Sequence, residues 1–544
     1  MRGDILAIIR ETARRHWGLG LALLLAIGGK LALLGAQVFP FNADEAVVAL
    51  MARHILQGER PLFFYGQAYM GSLDAFLTAA LFALFGPQVW VVRALEALLF
   101  AGTITVWYFF CAEAFDSLTV ARIAVLLLAV PPVLVTLYTT VSIGGYGEAL
   151  LLGSLGMLLA LQIRRGKTHP ARWLILGFTV GIGFWSFPLS LVLSFPALLT
   201  AIWYKPSEQK SQPMKYFWTH MGILFLGLIA GISPWIAGWI QLGASAFREL
   251  GGSAIAGTIQ GGPGTVLLFR LLDLGVFGVT ALFGLRPSWE IRWLAPVVLP
   301  FAVAIDLTAI VYAVRNLRLR DAARPARWMM AGSIAILILV YLFTPFGNDP
   351  SGRYFLPLAL VLAAFCAELI ARAAARFGRA AYLLLPVLML FQGAGTVESA
   401  LRVPPGITTQ FDPVAQLDQR DLPQVIAFLR AHGETRGYTN YWVSFPLAFQ
   451  SGEELIFTAQ LPYHPDLRYT SRDDRYPPYD DLVEAAGRVA YITTKNPALD
   501  SLLEAAFAAH GIRYQFEQIG DFRIYYDLSA PLRPEQLYQL PFMD

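Results

Sequence analysis

Only two of the 544 residues are cysteine, Cys111 and Cys366, and both lie in apolar stretches, so no disulfide framework holds this chain. Charge is scarce as well. Asp, Glu, Lys and Arg make up 15% of the residues, where a soluble domain carries about one quarter. A single soluble globule is thereby excluded. The net charge of +3 is too small to point to nucleic acid, and none is expected as a partner. There is no phosphate-cradling loop of the Walker type, no dinucleotide fingerprint, and no histidine pair at helical spacing, since His54 stands alone. No metal-ligand motif is therefore read and no cofactor is expected, with a divalent metal ion left open.

What is present is apolar sequence, at 56% of the chain and unevenly spread. A membrane span needs roughly 20 apolar residues. Runs of that kind occur at 17–39, 88–111, 119–138, 146–163, 217–240, 293–314, 327–345, 353–371 and 380–398. The run 172–204 is too long for one span and holds Pro188 near its middle, so it is expected to form two short helices in a hairpin. The total is about eleven spans. Arg10, Arg14 and Arg15 precede the first run without a small-residue cleavage site after it, so that run is expected to stay as the first span.

Basic residues collect in short loops: Arg164, Arg165, Lys167 and Arg172; Lys205, Lys210 and Lys215; Arg315, Arg318, Arg320, Arg324 and Arg327; Arg372, Arg376 and Arg379. Such loops face the cytoplasm. Keeping all four inside makes 264–285, with Arg270 and Asp273, an interfacial or re-entrant helix on the outer side. The expectation is an all-α polytopic membrane bundle over 1–400 with an outer juxtamembrane loop at 40–87. A soluble extracytoplasmic α/β domain follows over 401–544, behind a linker containing Pro404, Pro405 and Pro413. The N-terminus is then cytoplasmic and the location a cell membrane. Within the soluble part, 421–433 and 497–510 read as helices and 489–494, 513–518 and 522–527 as strands.

Several ionisable residues fall where apolar runs meet the outer side. Asp44 and Glu45 open the loop 40–87 ahead of a helical pattern. Local pattern alone favours helix-start carboxylates, worth at most about 1 kcal/mol. Adjacent residues project about 100° apart, so only one can face a site. Glu148 sits at the outer end of a span among Gly144, Gly145 and Gly147, where an ionisable group usually faces the bundle interior. Arg353 and Tyr354 open a late span against the basic-inside trend; phosphate recognition and headgroup snorkelling both account for such an arginine, and Asp349 is spaced to pair with it. Arg93 and Glu96 form an intramembrane pair expected to neutralise each other. Tyr65 and Tyr69 read as interface aromatics or as stacking surfaces for a sugar or isoprenoid, and Asp74 as a helix cap.

Taken together these segments resemble the GT-C glycosyltransferases, in particular the protein O-mannosyltransferase and aminoarabinose-transferase branch (glycosyltransferase family 39-like). The resemblance rests on Asp44–Glu45, on GQAYMGSLDAFLTAALFALFGPQVWVVRAL with Arg93, on Glu148, and on GRYFLPL with Arg353 and Tyr354. It departs at the hairpin turn FWSFPLS, which lacks the cation often found there in relatives. The resemblance implies a polyprenyl-phosphate-dependent hexosyl or pentosyl transferase. Asp44 would be the general base, and Glu45 and Glu148 would orient the acceptor or tune that base. Arg353 would hold the leaving phosphate, with Tyr354, Arg93, Tyr65 and Tyr69 at the substrate. Partners would be the lipid-linked donor, membrane lipid, and a lipid, glycan or protein acceptor. A transporter or flippase of a lipid-linked substrate is the competing reading. It would favour internal symmetry and charges near mid-membrane, whereas these charges gather at span ends.

Overall fold

A computed structural model describes residues 2–203, 213–253, 261–403 and 406–537. Lys205, Lys210, Pro404 and Pro405 lie outside the described residues. The chain forms two compact units: Met1–Ala36 with Tyr69–Asp74 and Arg93–Leu401, and Gln37–Ala68 with Ala75–Val92 and Arg402–Asp544.

The first unit is the membrane bundle. Among the described residues nine helices are long and apolar enough to cross a membrane: Arg14–Gly35, Val89–Phe115, Tyr146–Arg164, Phe217–Leu242, Pro263–Leu282, Leu299–Asn316, Arg324–Phe343, Arg353–Phe377 and Arg379–Ala400. Arg353–Phe377 is the most enclosed of them, with 83% of its apolar window buried; several of the others present large apolar side chains such as Leu24, Ile240 and Phe301 outward. Two features differ from the sequence expectation. The run 119–138 is not one span but Leu118–Ala129 followed by Val133–Tyr138. Pro131 and Pro132 lie between them and remove the backbone donors a continuous helix needs. The segment 264–285, expected at the interface, contains a helix that qualifies as a span by length and composition, with a π-helical turn at Leu274–Val279.

The run 172–204 does form a hairpin: Pro170–Ser186, an extended Phe187, a tight turn at Pro188–Ser190, then Leu191–Ile202. The first arm packs closely on helix Pro213–Leu242. A Cβ at Gly177 would stand 2.0 Å from the Leu224 carbonyl oxygen, and one at Gly227 2.1 Å from that of Leu174. Gly181 and Gly231 meet the opposite backbone in the same way, one turn on. Two small-xxx-small motifs thus face each other, the arrangement that lets helix backbones touch in lipid.

The second unit carries a five-stranded sheet in the order Ile456–Thr458, Arg436–Tyr438, Ala490–Thr494, Phe522–Tyr526, Gln515–Ile519. The first three strands are parallel and the last two pairings antiparallel. Helices Leu422–His432 and Pro497–Ala509 fall where the sequence places them. Helix Tyr441–Gln450, with Pro446 inside it, has no counterpart in the sequence expectation. The outer loop 40–87 is expected to belong to the membrane domain, but most of it belongs to this unit. Its helix Ala43–Gln57 packs on Tyr441–Gln450. The Phe449 ring meets Phe41 at 5.6 Å and Phe82 at 6.1 Å. The Ile407 amide donates to the Val38 carbonyl at 2.8 Å.

The glycine contact gives a direct test. Gly177→Leu or Gly227→Leu should force the two helices apart and cost at least about 1–3 kcal/mol, read as a lower melting temperature in detergent. Gly222→Leu, where a side chain meets open space, should leave it unchanged.

Candidate functional site

In the membrane unit, Glu148 occupies the first turn of helix Tyr146–Arg164, entered through Gly144 and Gly145 at positive φ. Its carboxylate is 2% exposed, and neither oxygen finds a partner among the other described residues. One oxygen each from Glu148, Asp74 and Glu96 lies within 4.8 Å of the other two. Helix Leu73–Phe85 contributes Asp74 and helix Val89–Phe115 contributes Glu96. Asp74 is not the helix cap that its sequence position suggests. Instead it is buried and accepts a hydrogen bond from the Ser142 hydroxyl. A Cβ at Gly147 would stand 2.6 Å from the Glu96 carboxylate, so that acid reaches the cluster only because residue 147 has no side chain.

A cation lies close by. Lys30 is buried in the first span, donates to the Thr139 carbonyl at 2.5 Å and to the Thr139 and Thr140 hydroxyls at 2.7 Å, and acts electrostatically on Glu96. Three carboxylates at such spacing repel unless protons or a cation accompany them. Hard oxygen donors in this number suit a divalent cation such as Mg²⁺ or Mn²⁺, so Asp74, Glu96 and Glu148 are the residues that could hold one.

Arg353 opens its helix as expected and pairs with Asp349 at 2.6 Å. Its guanidinium also approaches the Tyr354 hydroxyl at 3.4 Å, while its buried Nε has no partner among the described residues. Aromatic rings surround this end of the unit: Tyr354 against Phe346 at 5.0 Å, Phe346 against Tyr69 at 6.1 Å, Tyr69 against Phe187 at 6.1 Å, and Phe187 against Tyr146 at 4.9 Å. The loop carrying Arg353 is tied down by Arg286, which is 1% exposed. Arg286 donates to the carbonyls of Phe277 at 2.9 Å, Pro350 at 2.6 Å and Pro287 at 2.8 Å. Burial lowers its pKa to about 10, so it stays charged at neutral pH. Gly352, at φ +76°, lets the chain turn into Arg353; a Cβ there would stand 2.6 Å from that of Ala281.

The second unit holds Asp44, Glu45 and Tyr65. Asn42, not the acidic pair, caps helix Ala43–Gln57, its side chain accepting from the Glu45 amide at 3.0 Å. Glu45 is fully buried. Asp44 accepts the Tyr441 hydroxyl at 2.5 Å. Tyr65 donates to Glu59 at 2.5 Å and stacks on Tyr476 at 4.9 Å, beside a His54–Glu453 pair at 2.8 Å. The unit therefore uses Tyr65 within its own packing.

The structure thus groups Glu148 with two acids to which the sequence pattern gives other roles, and groups Arg353, Tyr354 and Tyr69. Arg93 stands three residues before Glu96 on the same helix. Sequence reasoning misses Asp74, Glu96 and Lys30 as a cluster; each is an ionisable residue inside or at the end of an apolar run, which is the signal that finds such groups.

Residues 72–237, a stretch containing Asp74, Arg93, Glu96 and Glu148, match the family model described as dolichyl-phosphate-mannose-protein mannosyltransferase. Among solved structures the chain is similar to ArnT from Cupriavidus metallidurans bound to undecaprenyl phosphate, with a TM-score of 0.55 and 12% identity, covering 93% of this chain and 98% of that one. It is also similar to the apo oligosaccharyltransferase of Archaeoglobus fulgidus, with a TM-score of 0.49 and 13% identity, covering 89% of this chain and 70% of that one. A comparison with curated protein sequences finds no match. At these identities the ArnT likeness establishes the fold alone.

Burial, reinforced by Asp44 and opposed by Arg475, lifts the Asp473 carboxyl from 3.8 to about 6. Between those values the folded chain keeps a proton that the unfolded chain releases. Stability therefore falls as pH rises through that window and stays lowered above it. Asp473→Asn should raise the melting temperature at pH 7.5, by about 2–4 °C for each kcal/mol recovered, and change it little at pH 3.5. Equal shifts at the two pH values would count against a charge effect.

Proposed function

We propose that this chain is a GT-C superfamily glycosyltransferase, a reading that its family-model match over residues 72–237 and its fold support, and that it moves a sugar from a polyprenyl-phosphate donor to an acceptor hydroxyl at the outer face of a cell membrane. The N-terminus is then cytoplasmic and the C-terminal domain extracytoplasmic. The observation that carries this reading is Arg353: a guanidinium at the opening of a span, with a buried Nε lacking a partner among the described residues and the Tyr354 ring, backed by Phe346, beside it. Arginine's planar fork suits a phosphate, and the aromatic faces suit the apolar isoprenoid or the sugar. The ArnT neighbour, solved with undecaprenyl phosphate, supports the same ligand class.

The chemistry is a single inverting displacement. The acceptor oxygen forms a bond to the anomeric carbon as the bond from that carbon to the phosphate oxygen breaks. The acceptor proton passes to Asp44, and the electron pair leaves with the polyprenyl phosphate. Phosphate needs little acid assistance to depart, but its charge must be met by a cation, the role given to Arg353. Glu148 is assigned to orienting the acceptor, and Glu45, buried beside Asp44, to supporting the base. The acceptor is a lipid, glycan or protein hydroxyl. The position of a divalent ion is assigned to Asp74, Glu96 and Glu148, where it would supply positive charge toward an anionic leaving group.

Purified protein supplied with labelled polyprenyl-phosphate sugars tests the reading. Asp44→Asn should lower turnover by about 10²–10⁴-fold with insertion and melting temperature retained; normal turnover would reject Asp44 as base. Arg353→Lys keeps the charge but loses the fork, and should lower kcat by about 10²-fold or more. Donor moved across the bilayer without transfer would replace the enzyme by a flippase. Mn²⁺ should raise the melting temperature of the wild type, and this shift should vanish in Glu148→Gln.

A further inference from the structure

The candidate base is held by the C-terminal domain. Asp44 lies in the first turn of helix Ala43–Gln57, and one of its carboxylate oxygens accepts the hydroxyl of Tyr441 at 2.5 Å. Tyr441 is 2% exposed and begins helix Tyr441–Gln450, where Asn440 caps the turn by accepting from the Trp442 amide at 3.0 Å. The Tyr441 ring is fixed on three sides. The Arg475 guanidinium sits 5.2 Å from its centroid, Trp442 meets it edge-on at 4.8 Å, and Phe445 meets it at 5.5 Å. The charged groups around Asp44 are Glu45 on its own helix, Tyr441 from the opposite helix, and Asp473 and Arg475 from the segment at and just after the turn Ser471–Asp473.

This arrangement suits a base more than a tether. A carboxylate that takes a proton from an alcohol must be ionised and must aim a free lone pair. A phenol that donates to one oxygen stabilises the charged form and fixes the plane of the group, leaving the other oxygen for the acceptor. Burial and the charge of Asp44 push the Tyr441 hydroxyl well above its ordinary range, so it remains a donor at neutral pH.

We propose that Tyr441 is a positioning residue for transfer: its hydroxyl orients the Asp44 carboxylate, so that the C-terminal domain forms part of the catalytic apparatus. The proposal rests on Asp44 being the base. Full-length wild type, Tyr441→Phe, Phe445→Leu and Asp44→Asn, each in nanodiscs with a labelled polyprenyl-phosphate sugar, separate the possibilities. Tyr441→Phe should lower kcat about tenfold with the donor KM unchanged. Phe445→Leu disturbs the same packing without removing the hydroxyl and should leave kcat in place. If Asp44→Asn is inactive while Tyr441→Phe keeps the wild-type kcat, positioning is wrong and the base assignment stands. If Asp44→Asn turns over normally, both fall. A Tyr441→Phe variant that only melts lower, with kinetics intact, shows a structural strut and overturns the proposal.

Discussion

Moving an ion from water into an apolar bundle costs several kcal/mol, and the charged side chains of the membrane unit are arranged by that cost. Arg327, whose side chain is 1% exposed, lies between Glu368 at 2.5 Å and Asp321 at 2.8 Å. Arg286 is sheathed in carbonyl oxygens, and Lys30 spends its ammonium on a carbonyl and two hydroxyls. Against that background two groups matter most. Glu148 is buried with neither oxygen engaged by another described residue, and the Arg353 Nε has no partner among the described residues. Groups left open in this way suit a ligand that supplies the missing partner.

The spans are legible because twenty apolar residues are hard to mistake, and Arg353 because an arginine opening a span away from the basic loops breaks a charge rule. Pro131–Pro132 mark the point where 119–138 divides into two pieces; apolar composition alone hides the break. Asp74 resembles a cap because a linear scan shows only the apolar stretch after it, while Ser142 and Glu148, which give it its surroundings, come from a distant helix end. Asn42 is passed over as a cap for the same reason in reverse. Two acidic residues beside it draw the eye, although the amide side chain stands at the right spacing to accept from Glu45.

Least legible is the allegiance of the first outer loop. Nothing local ties Asp44 to Tyr441, which is 397 residues away. Nor does anything local tie His54 and Arg53 to Glu453. The link is made by aromatic packing of Phe41 and Phe82 on Phe449, and side chains of that kind read simply as apolar in a linear scan. The division of labour is therefore not the one that hydropathy suggests. The acidic cluster and Arg353 belong to the first unit, whereas the candidate base belongs, by its contacts, to the second.

Arg286 grips the 348–353 loop at a peptide oxygen, that of Pro350. Such a grip is blind to residue identity: it registers the path of the backbone and ignores what hangs from it. The side chain at position 350 can therefore drift over evolution while the peptide that leads into Arg353 keeps its course.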